Sequence, residues 1–290
     1  MAVSSERPGM ARLYVLAAAL LFSTGGAAIK LCSLSGWQIA SLRSACAALV
    51  LPLLLAPARR GWGRPRVWLV GAAYATTLVL FVTSTKLTTA ANAIFLQSTA
   101  PLWILLLGPW LLAERFRSRD LGFLALAAAG MVALFAGTAP PSATAPDPAL
   151  GNVLAAAAGL SWAFTVMGLR WLQRDGGQGG LAAAAVGNVL ACVVALPWAL
   201  PVIGATSTDW LTLIFLGVVQ IGIAYAFLTA GLGRVPALAA SLLLLLEPAL
   251  NPLWTWLVQG ENPGVWSIAG GALVLSATAS KALVDAWRKG

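Results

Sequence analysis

The feature of this 290-residue sequence that most constrains its fold is a succession of long, continuous apolar runs. A helix needs about 20 apolar residues to cross the hydrocarbon core of a bilayer, whereas barrel strands are about half as long and alternate in polarity. The runs therefore predict an all-α integral membrane protein with ten transmembrane helices. These lie at about 12–31, 37–56, 67–86, 91–112, 119–137, 150–170, 181–203, 210–230, 236–258 and 264–284.

The composition is that of a protein whose main partner is the lipid bilayer. Hydrophobic residues make up 60% of the sequence and charged residues 9%, against about a quarter charged in soluble domains. The net charge of +9 comes from short basic clusters between the apolar runs, which excludes an extended nucleic-acid-binding face. The three cysteines lie in or beside apolar runs and predict packing residues, with no disulfide, metal site or cofactor.

Lysine and arginine predict the orientation, because short cytoplasmic loops are enriched in them. If the N-terminus is cytoplasmic, 15 of the 18 basic residues fall in inward segments, and both termini are cytoplasmic. The first run could instead be a signal peptide, but its length and its place in the repeat favour a retained helix. The 15 residues are Arg7, Arg12, Arg59, Arg60, Arg64, Arg66, Arg115, Arg117, Arg119, Arg170, Arg174, Arg234, Lys281, Arg288 and Lys289.

The two halves of the chain repeat each other. Pro101 lies 13 residues before Glu114, and Pro248 lies 13 residues before Glu261. Each member of the second pair follows its counterpart in the first pair by 147 residues. Near the start of each half, an aromatic residue and a basic residue match at an offset of 140. These matches pair Phe22 with Trp162 and Lys30 with Arg170.

Because each half contains five helices, an odd number, the second half must enter the membrane from the opposite side. Inverted repeats are the architecture of alternating-access carriers, whose site lies near the midplane between the halves. The predicted organisation is a cytoplasmic tail at 1–11, a first repeat at 12–137, a periplasmic linker at 138–149, a second repeat at 150–284 and a cytoplasmic tail at 285–290.

The stretch SLLLLLEPALNPLW contains the one acidic residue predicted to lie deep in the membrane, Glu247. An ionised carboxylate at a helix centre costs about 2.5–3.5 kcal/mol on insertion scales, so Glu247 must face protein or water. Asn251 and Trp254 follow on the same helix face. Pro248 and Pro252 remove backbone hydrogen bonds at this depth, which is tolerated where the backbone lines protein or a cavity.

Three roles for Glu247 stay open. It could hold the ammonium group of a substrate, or it could carry a coupling proton, since the chain has no histidine. It could also form a structural ion pair with a basic residue such as Arg43, because intramembrane charges often pair.

Other polar and aromatic residues at comparable depth are candidates for the cavity or for hydrogen bonds between helices. The complete candidate set is Phe22, Ser23, Thr24, Arg43, Tyr74, Thr77, Gln97, Trp162, Asn188, Tyr225, Glu247 and Asn251, with Pro101, Pro248 and Pro252 as helix-breaking positions.

The repeated motifs resemble the drug/metabolite transporter superfamily with tandem EamA-type repeats, over about residues 12–284. Within it, the length, ten helices and aromatic-rich character are most similar to YddG-type amino acid exporters of bacterial inner membranes. That resemblance implies a multi-pass inner-membrane protein that exports amino acids, including aromatic ones. We take it to act as a monomer with a small-molecule substrate.

The leading hypothesis is therefore a secondary transporter that exports small amphipathic metabolites by alternating access. Without a Walker-type phosphate loop, direct drive by ATP is disfavoured. The alternative is a carrier of the same fold for drugs, organic cations or phosphorylated or nucleotide-linked sugars. Anionic cargo would need several cavity cations, and only Arg43, with Lys30, is placed for that. An intramembrane enzyme is disfavoured because histidine is absent.

The predicted topology can be tested with fused compartment reporters. Reporters after Arg66, Arg119, Arg174 and Gly290 should report a cytoplasmic location, and reporters after Thr144 and Ser207 a periplasmic one. Fluorescent and phosphatase fusions give opposite signals in the two compartments. A periplasmic C-terminus would contradict the inverted ten-helix topology.

Overall fold

The computed structural model describes residues 8–111, 120–138, 140–174, 179–232 and 243–286, and every regular element in those ranges is helical. Eight of the described helical stretches, some of them made of two consecutive helices, are long and apolar enough to cross a membrane. This confirms the predicted all-helical membrane fold. They are Met10–Leu31, Gly36–Leu54, Pro65–Leu87, Ala90–Leu111, Pro148–Leu172, Gly180–Ala199, Ser207–Gly231 and Gly264–Val284.

The other two predicted runs contain shorter described helices, so the count of ten stays a prediction. Run 119–137 forms the apolar helix Asp120–Ala136. The first part of run 236–258 lies outside the described residues, and the remainder contains the helix Leu246–Gln259. We refer to the helical part of each predicted run as segments 1 to 10, in chain order.

The helices are α1 (Pro8–Ser23), α2 (Gly25–Leu31), α3 (Gly36–Leu54), α4 (Pro65–Leu87), α5 (Ala90–Gln97), α6 (Ala100–Leu111), α7 (Asp120–Ala136), α8 (Pro148–Arg174), α9 (Gly180–Ala199), α10 (Ser207–Ile214), α11 (Ala224–Leu232), α12 (Leu246–Gln259) and α13 (Gly264–Ala286). A 3₁₀ turn, Ala56–Arg59, follows α3, and a π-helical stretch, Phe215–Ile223, joins α10 to α11. Segment 1 comprises α1 and α2, segment 4 comprises α5 and α6, segment 8 runs from α10 to α11, and each other segment is a single helix.

The helix breaks follow the sequence repeat. Segment 4 is interrupted by a turn that begins at Ser98, and segment 9 is interrupted by a turn at Leu245, 147 residues later. Pro101 and Pro248 therefore lie in the first turn of α6 and of α12, where a missing backbone N–H costs little. Each proline, predicted to damage its helix, lies where a new helix begins, whereas Pro252 lies inside α12.

The packing between the two halves has the pattern of a two-fold axis. Segment 2 packs on segment 7, and segment 5 packs on segment 10. Segment 3 packs on segment 6, and its counterpart segment 8 packs on segment 1. Exchanging each segment with the one five places along leaves this set of contacts unchanged, so the sequence repeat is also a structural repeat.

The direction of the paired helices shows how this axis lies. In segments 2 and 7 and in segments 5 and 10, residue numbers rise along one helix as they fall along the other. A two-fold axis that exchanges antiparallel neighbours is perpendicular to both, so the two repeats are inverted relative to each other. The contacts are Trp37 with Trp198 and Ser41 with Cys192 between segments 2 and 7, and Asp120 with Lys281, Gly130 with Gly270 and Gly137 with Trp266 between segments 5 and 10.

A close approach between segments 5 and 10 depends on glycine. A Cβ atom added at either Gly130 or Gly270 would lie 2.7 Å from the carbonyl oxygen of the other residue. Small residues at such crossings let helix backbones pack closely in membranes, where van der Waals contact replaces the hydrophobic drive of water.

Gly130→Leu is expected to destabilise the protein by about 1–3 kcal/mol or more, because the added side chain has no space at the crossing. Gly122→Leu in the same helix is the matched control, since a Cβ there meets nothing within 4 Å. Thermal unfolding of purified protein in detergent measures both. Equal melting temperatures for the two variants would contradict the close crossing.

Candidate functional site

A cavity of about 300 Å³ lies between the two repeats. This volume is at the lower end of the range found for small-molecule sites. Ten of the predicted residues line it: Phe22, Arg43, Tyr74, Thr77, Gln97, Pro101, Trp162, Tyr225, Glu247 and Pro248. They come from segments 1, 2, 3, 4, 6, 8 and 9, so the cavity is built by both halves.

The two symmetry-related helix breaks line this cavity. Ser98 and Pro101 come from the break in segment 4, and Leu245 and Pro248 come from the break in segment 9. Irregular backbone at membrane depth is stable only against protein or a cavity, and both breaks meet that condition. The cavity separates these stretches, whereas α5 and α12 pack against each other.

Four aromatic rings form a continuous row along the cavity. The hydroxyl of Tyr225 donates a hydrogen bond to that of Tyr74, with 3.0 Å between the oxygens. Phe22 packs edge-on against Tyr225 at a centroid distance of 5.6 Å, and Trp162 packs against Tyr74 at 6.1 Å. The two-fold exchange swaps segment 1 with segment 6 and segment 3 with segment 8. It therefore pairs Phe22 with Trp162 and Tyr74 with Tyr225.

The cavity also holds two opposite charges that are not paired with each other. Arg43 is 2% exposed and makes no hydrogen bond or ion pair with any described residue. Glu247 likewise has no hydrogen-bond or ion-pair partner among the described residues. Tyr74 lies within electrostatic reach of both. Leaving a charge such as that of Arg43 buried without a partner costs several kcal/mol, so the two groups are candidates to bind complementary charges.

Ser23 and Asn251 pack between helices and do not line the cavity. The Ser23 hydroxyl accepts a hydrogen bond from the Trp254 indole at 2.8 Å. Asn251 is 1% exposed, and its Oδ1 lies so close to Gly26 that an added Cβ there would overlap it. Both residues therefore join segments 1 and 9.

Asn188 and Thr24 also lie outside the cavity lining. Asn188 is fully buried in α9, and its amide nitrogen donates to the Ala184 carbonyl at 2.9 Å. Thr24 forms the break between α1 and α2 and lines a separate, mostly apolar groove of about 440 Å³ with Trp254. The structure thus divides the predicted residues into a cavity set and a helix-packing set.

Gln220 lines the cavity and is absent from the predicted set. It is the one amide in the apolar stretch FLGVVQIGI, so the signal that singles out Glu247, a polar residue in an apolar run, is present here too. Its side chain is 7% exposed, and its Oε1 has no partner among the described residues.

A buried ion pair lies at the end of the bundle that the predicted topology places outside. The Lys30 ammonium lies 3.0 Å from a carboxylate oxygen of Glu261. Lys30 also donates to the carbonyls of Thr88 and Thr144, and Glu261 accepts a hydrogen bond from the Ala90 amide at 2.6 Å. Lys30 therefore has two carbonyl acceptors beside its counter-charge, whereas Glu261 has the Lys30 ammonium and one backbone donor.

Two further hydrogen bonds join the same segments nearer the cavity. The Gln259 amide donates to the Ala27 carbonyl at 2.8 Å, and the Trp254 indole donates to Ser23. Together with Lys30–Glu261, they fix the C-terminal part of segment 9 to the C-terminal part of segment 1.

Comparison with known proteins identifies the family. The model of the EamA-like transporter family matches residues 9–136 and 149–280. The chain belongs to the EamA-like transporter family. This confirms two tandem EamA domains and a membrane transporter of small molecules. Family membership also favours a transporter over an enzyme, whereas similarity to the YddG-type subfamily stays a prediction.

The solved structures support the same fold, and 21 of their chains match. One, described only as the crystal structure of a protein, has a TM-score of 0.63 and 22% sequence identity, covering 97% of this chain and 99% of its own. At this identity the likeness shows the fold alone. No curated protein matches the sequence.

Glu261→Gln is expected to lower stability by about 3–5 kcal/mol, because it leaves the buried Lys30 ammonium without its counter-charge. The double variant Lys30→Met, Glu261→Met removes both charges and should recover much of the loss. Thermal unfolding in detergent measures both variants. A Glu261→Gln protein as stable as the wild type would contradict a structural role for the pair.

Proposed function

We propose that the protein is a secondary transporter that exports small amphipathic metabolites, chiefly amino acids including aromatic ones. Transport of small molecules follows from family membership. The observation that carries the substrate class is the presence of Arg43 and Glu247, both without a protein partner among the described residues, on one aromatic cavity.

An amino acid zwitterion fits this arrangement. The Arg43 guanidinium presents donors suited to a carboxylate, which it can bind in a bidentate manner. Glu247 presents a carboxylate suited to an ammonium group. A bound zwitterion would neutralise both charges at once, which matters in a cavity of low dielectric constant. The aromatic row would contact the substrate side chain, and aromatic pairs add about 0.5–1.5 kcal/mol beyond area burial.

The alternative cargoes fit the charges less completely. An organic cation or a cationic drug would pair with Glu247 and stack on the rings but would leave Arg43 buried without a partner. A phosphorylated or nucleotide-linked sugar calls for several cations. Arg43 is the one basic side chain that lines the cavity in the described part of the chain, since Lys30 is bound to Glu261.

The inverted repeat supports alternating access as the mechanism. If each repeat took the conformation of the other, the packing between segments 1 and 9 would be exchanged for that between segments 6 and 4, and the reverse. Substrate would then reach the same midplane cavity from the opposite side. We place ten helices, with both termini cytoplasmic, in the bacterial inner membrane as a monomer, on the strength of the basic-residue bias and the resemblance to YddG-type exporters.

Purified protein in proteoliposomes should transport labelled phenylalanine, tryptophan and leucine, because each supplies both charges. It should transport choline, glucose phosphate and UDP-glucose poorly. The measurement is uptake of the labelled panel with and without a pH gradient, and empty liposomes are the control. Transport of choline or the sugar phosphates without amino acids would contradict the proposed substrate class.

Glu247→Gln keeps the shape of the side chain and removes its charge. We expect loss of both pH-driven uptake and counterflow of phenylalanine, because the substrate ammonium loses its counter-charge. Loss of pH-driven uptake with counterflow retained would instead assign Glu247 to proton coupling. Unfolding of the variant would indicate a structural role. Full activity with a normal response to pH would contradict a role for Glu247 in transport.

A further inference from the structure

Gln220 is a buried amide that the fold leaves with an unused acceptor. It lies in the π-helical stretch Phe215–Ile223, between α10 and α11. The side chain is 7% exposed, lines the cavity, and has an Oε1 without a partner among the described residues. Its nitrogen makes one long hydrogen bond, 3.4 Å, to the Phe22 carbonyl. A buried amide oxygen without a partner is unfavourable, because no hydrogen bond offsets the loss of its hydration.

Two local departures from regular α-helix meet at this residue. A π-helical turn contains an extra residue and so turns the subsequent side chains to a new face, and such turns occur frequently at functional sites. Opposite Gln220, segment 1 is broken at Thr24, and the next residue is Gly25. A Cβ atom at Gly25 would lie 2.9 Å from the Gln220 Nε2, so a larger residue there would displace the amide from this position.

Glu247 lines the same cavity as this amide. Segment 9 packs along segment 1 in the same direction, with Leu244 beside Val15 and Asn251 beside Gly26. Glu247 therefore falls between these two levels along segment 1. The Phe22 carbonyl, which Gln220 approaches, lies in that interval too.

We propose that Gln220 and Glu247 together form the subsite for the substrate ammonium group. This inference rests on the proposed amino acid substrate. An ammonium group has three hydrogen-bond donors, so the carboxylate of Glu247 leaves at least one of them for the Oε1 of Gln220. An amide at this position adds a hydrogen-bond acceptor without a second negative charge. The cavity therefore keeps one anion, Glu247, and one cation, Arg43, which together balance the two charges of a zwitterion.

Three ligands with the same ring separate the contributions of the two charged groups. Phenylalanine carries an ammonium and a carboxylate, phenethylamine carries only the ammonium, and phenylpropionate carries only the carboxylate. The measurement is the Kd of each ligand for the purified full-length protein in detergent.

Gln220→Leu should weaken the binding of phenylalanine and phenethylamine by about 10- to 100-fold, the effect of losing a hydrogen bond to a charged group. It should leave phenylpropionate unchanged. Gln220→Glu keeps an acceptor oxygen and should retain the binding of phenethylamine. Gln220→Met, close to glutamine in shape, gives the same comparison if the leucine variant does not fold.

Gln259→Leu is the matched control. Gln259 also has a buried Oε1 without a partner among the described residues and also donates to a carbonyl of segment 1, but it lies outside the cavity lining. Because Gln259 joins segments 1 and 9 away from the cavity, its replacement should change all three Kd values by a common factor, whereas Gln220→Leu should change only those of the two ligands with an ammonium group.

Wild-type affinity for phenylalanine in both Gln220→Leu and Gln220→Met would overturn the inference while leaving the amino acid proposal intact. Equal loss for all three ligands, or loss of phenylpropionate alone, would also overturn it, because these outcomes indicate packing or a carboxylate contact. A wild-type protein that binds none of the three would contradict the proposed function itself, and the inference with it.

Discussion

The structure depends on one constraint: hydrocarbon offers no partner to a polar group, so each charge within the bundle must be satisfied by protein, water or ligand. At one end of the bundle, Lys30 and Glu261 satisfy each other and several backbone groups. In the centre, Arg43 and Glu247 have no such partners in the described residues. The paired charges join segments 1, 4 and 9, and the unpaired charges mark the site where a substrate is expected to bind.

The scaffold is close to two-fold symmetric, but the charges in the cavity are not. Segment contacts, helix breaks and the aromatic row all follow the exchange of the two repeats. Arg43 lies on segment 2 and Glu247 on segment 9, which the exchange does not relate. A symmetric scaffold suits two opposite-facing states of similar energy, whereas an asymmetric pair of charges would hold a zwitterion in one orientation in both states.

The helices and the repeat were predictable because hydrophobic length and an offset between prolines depend on sequence alone. The offset of 147 also relates the two helix breaks, because Leu245 follows Ser98 by 147 residues. The face that each side chain presents was less predictable. A residue inserted by a π turn rotates the subsequent side chains by about 100° relative to an α-helix, so a regular helical pattern does not place Gln220 in the cavity. Asn251, expected in the cavity, packs instead against Gly26, because tertiary packing sets the rotation of α12.

The most direct test of the central claim is an experimental structure of the protein with phenylalanine bound. The account predicts that the ligand occupies the cavity with its carboxylate within hydrogen-bond distance of Arg43, its ammonium within that distance of Glu247, and its ring against the aromatic row. An occupied cavity in which Arg43 and Glu247 bind each other, with the ligand held elsewhere, would contradict it.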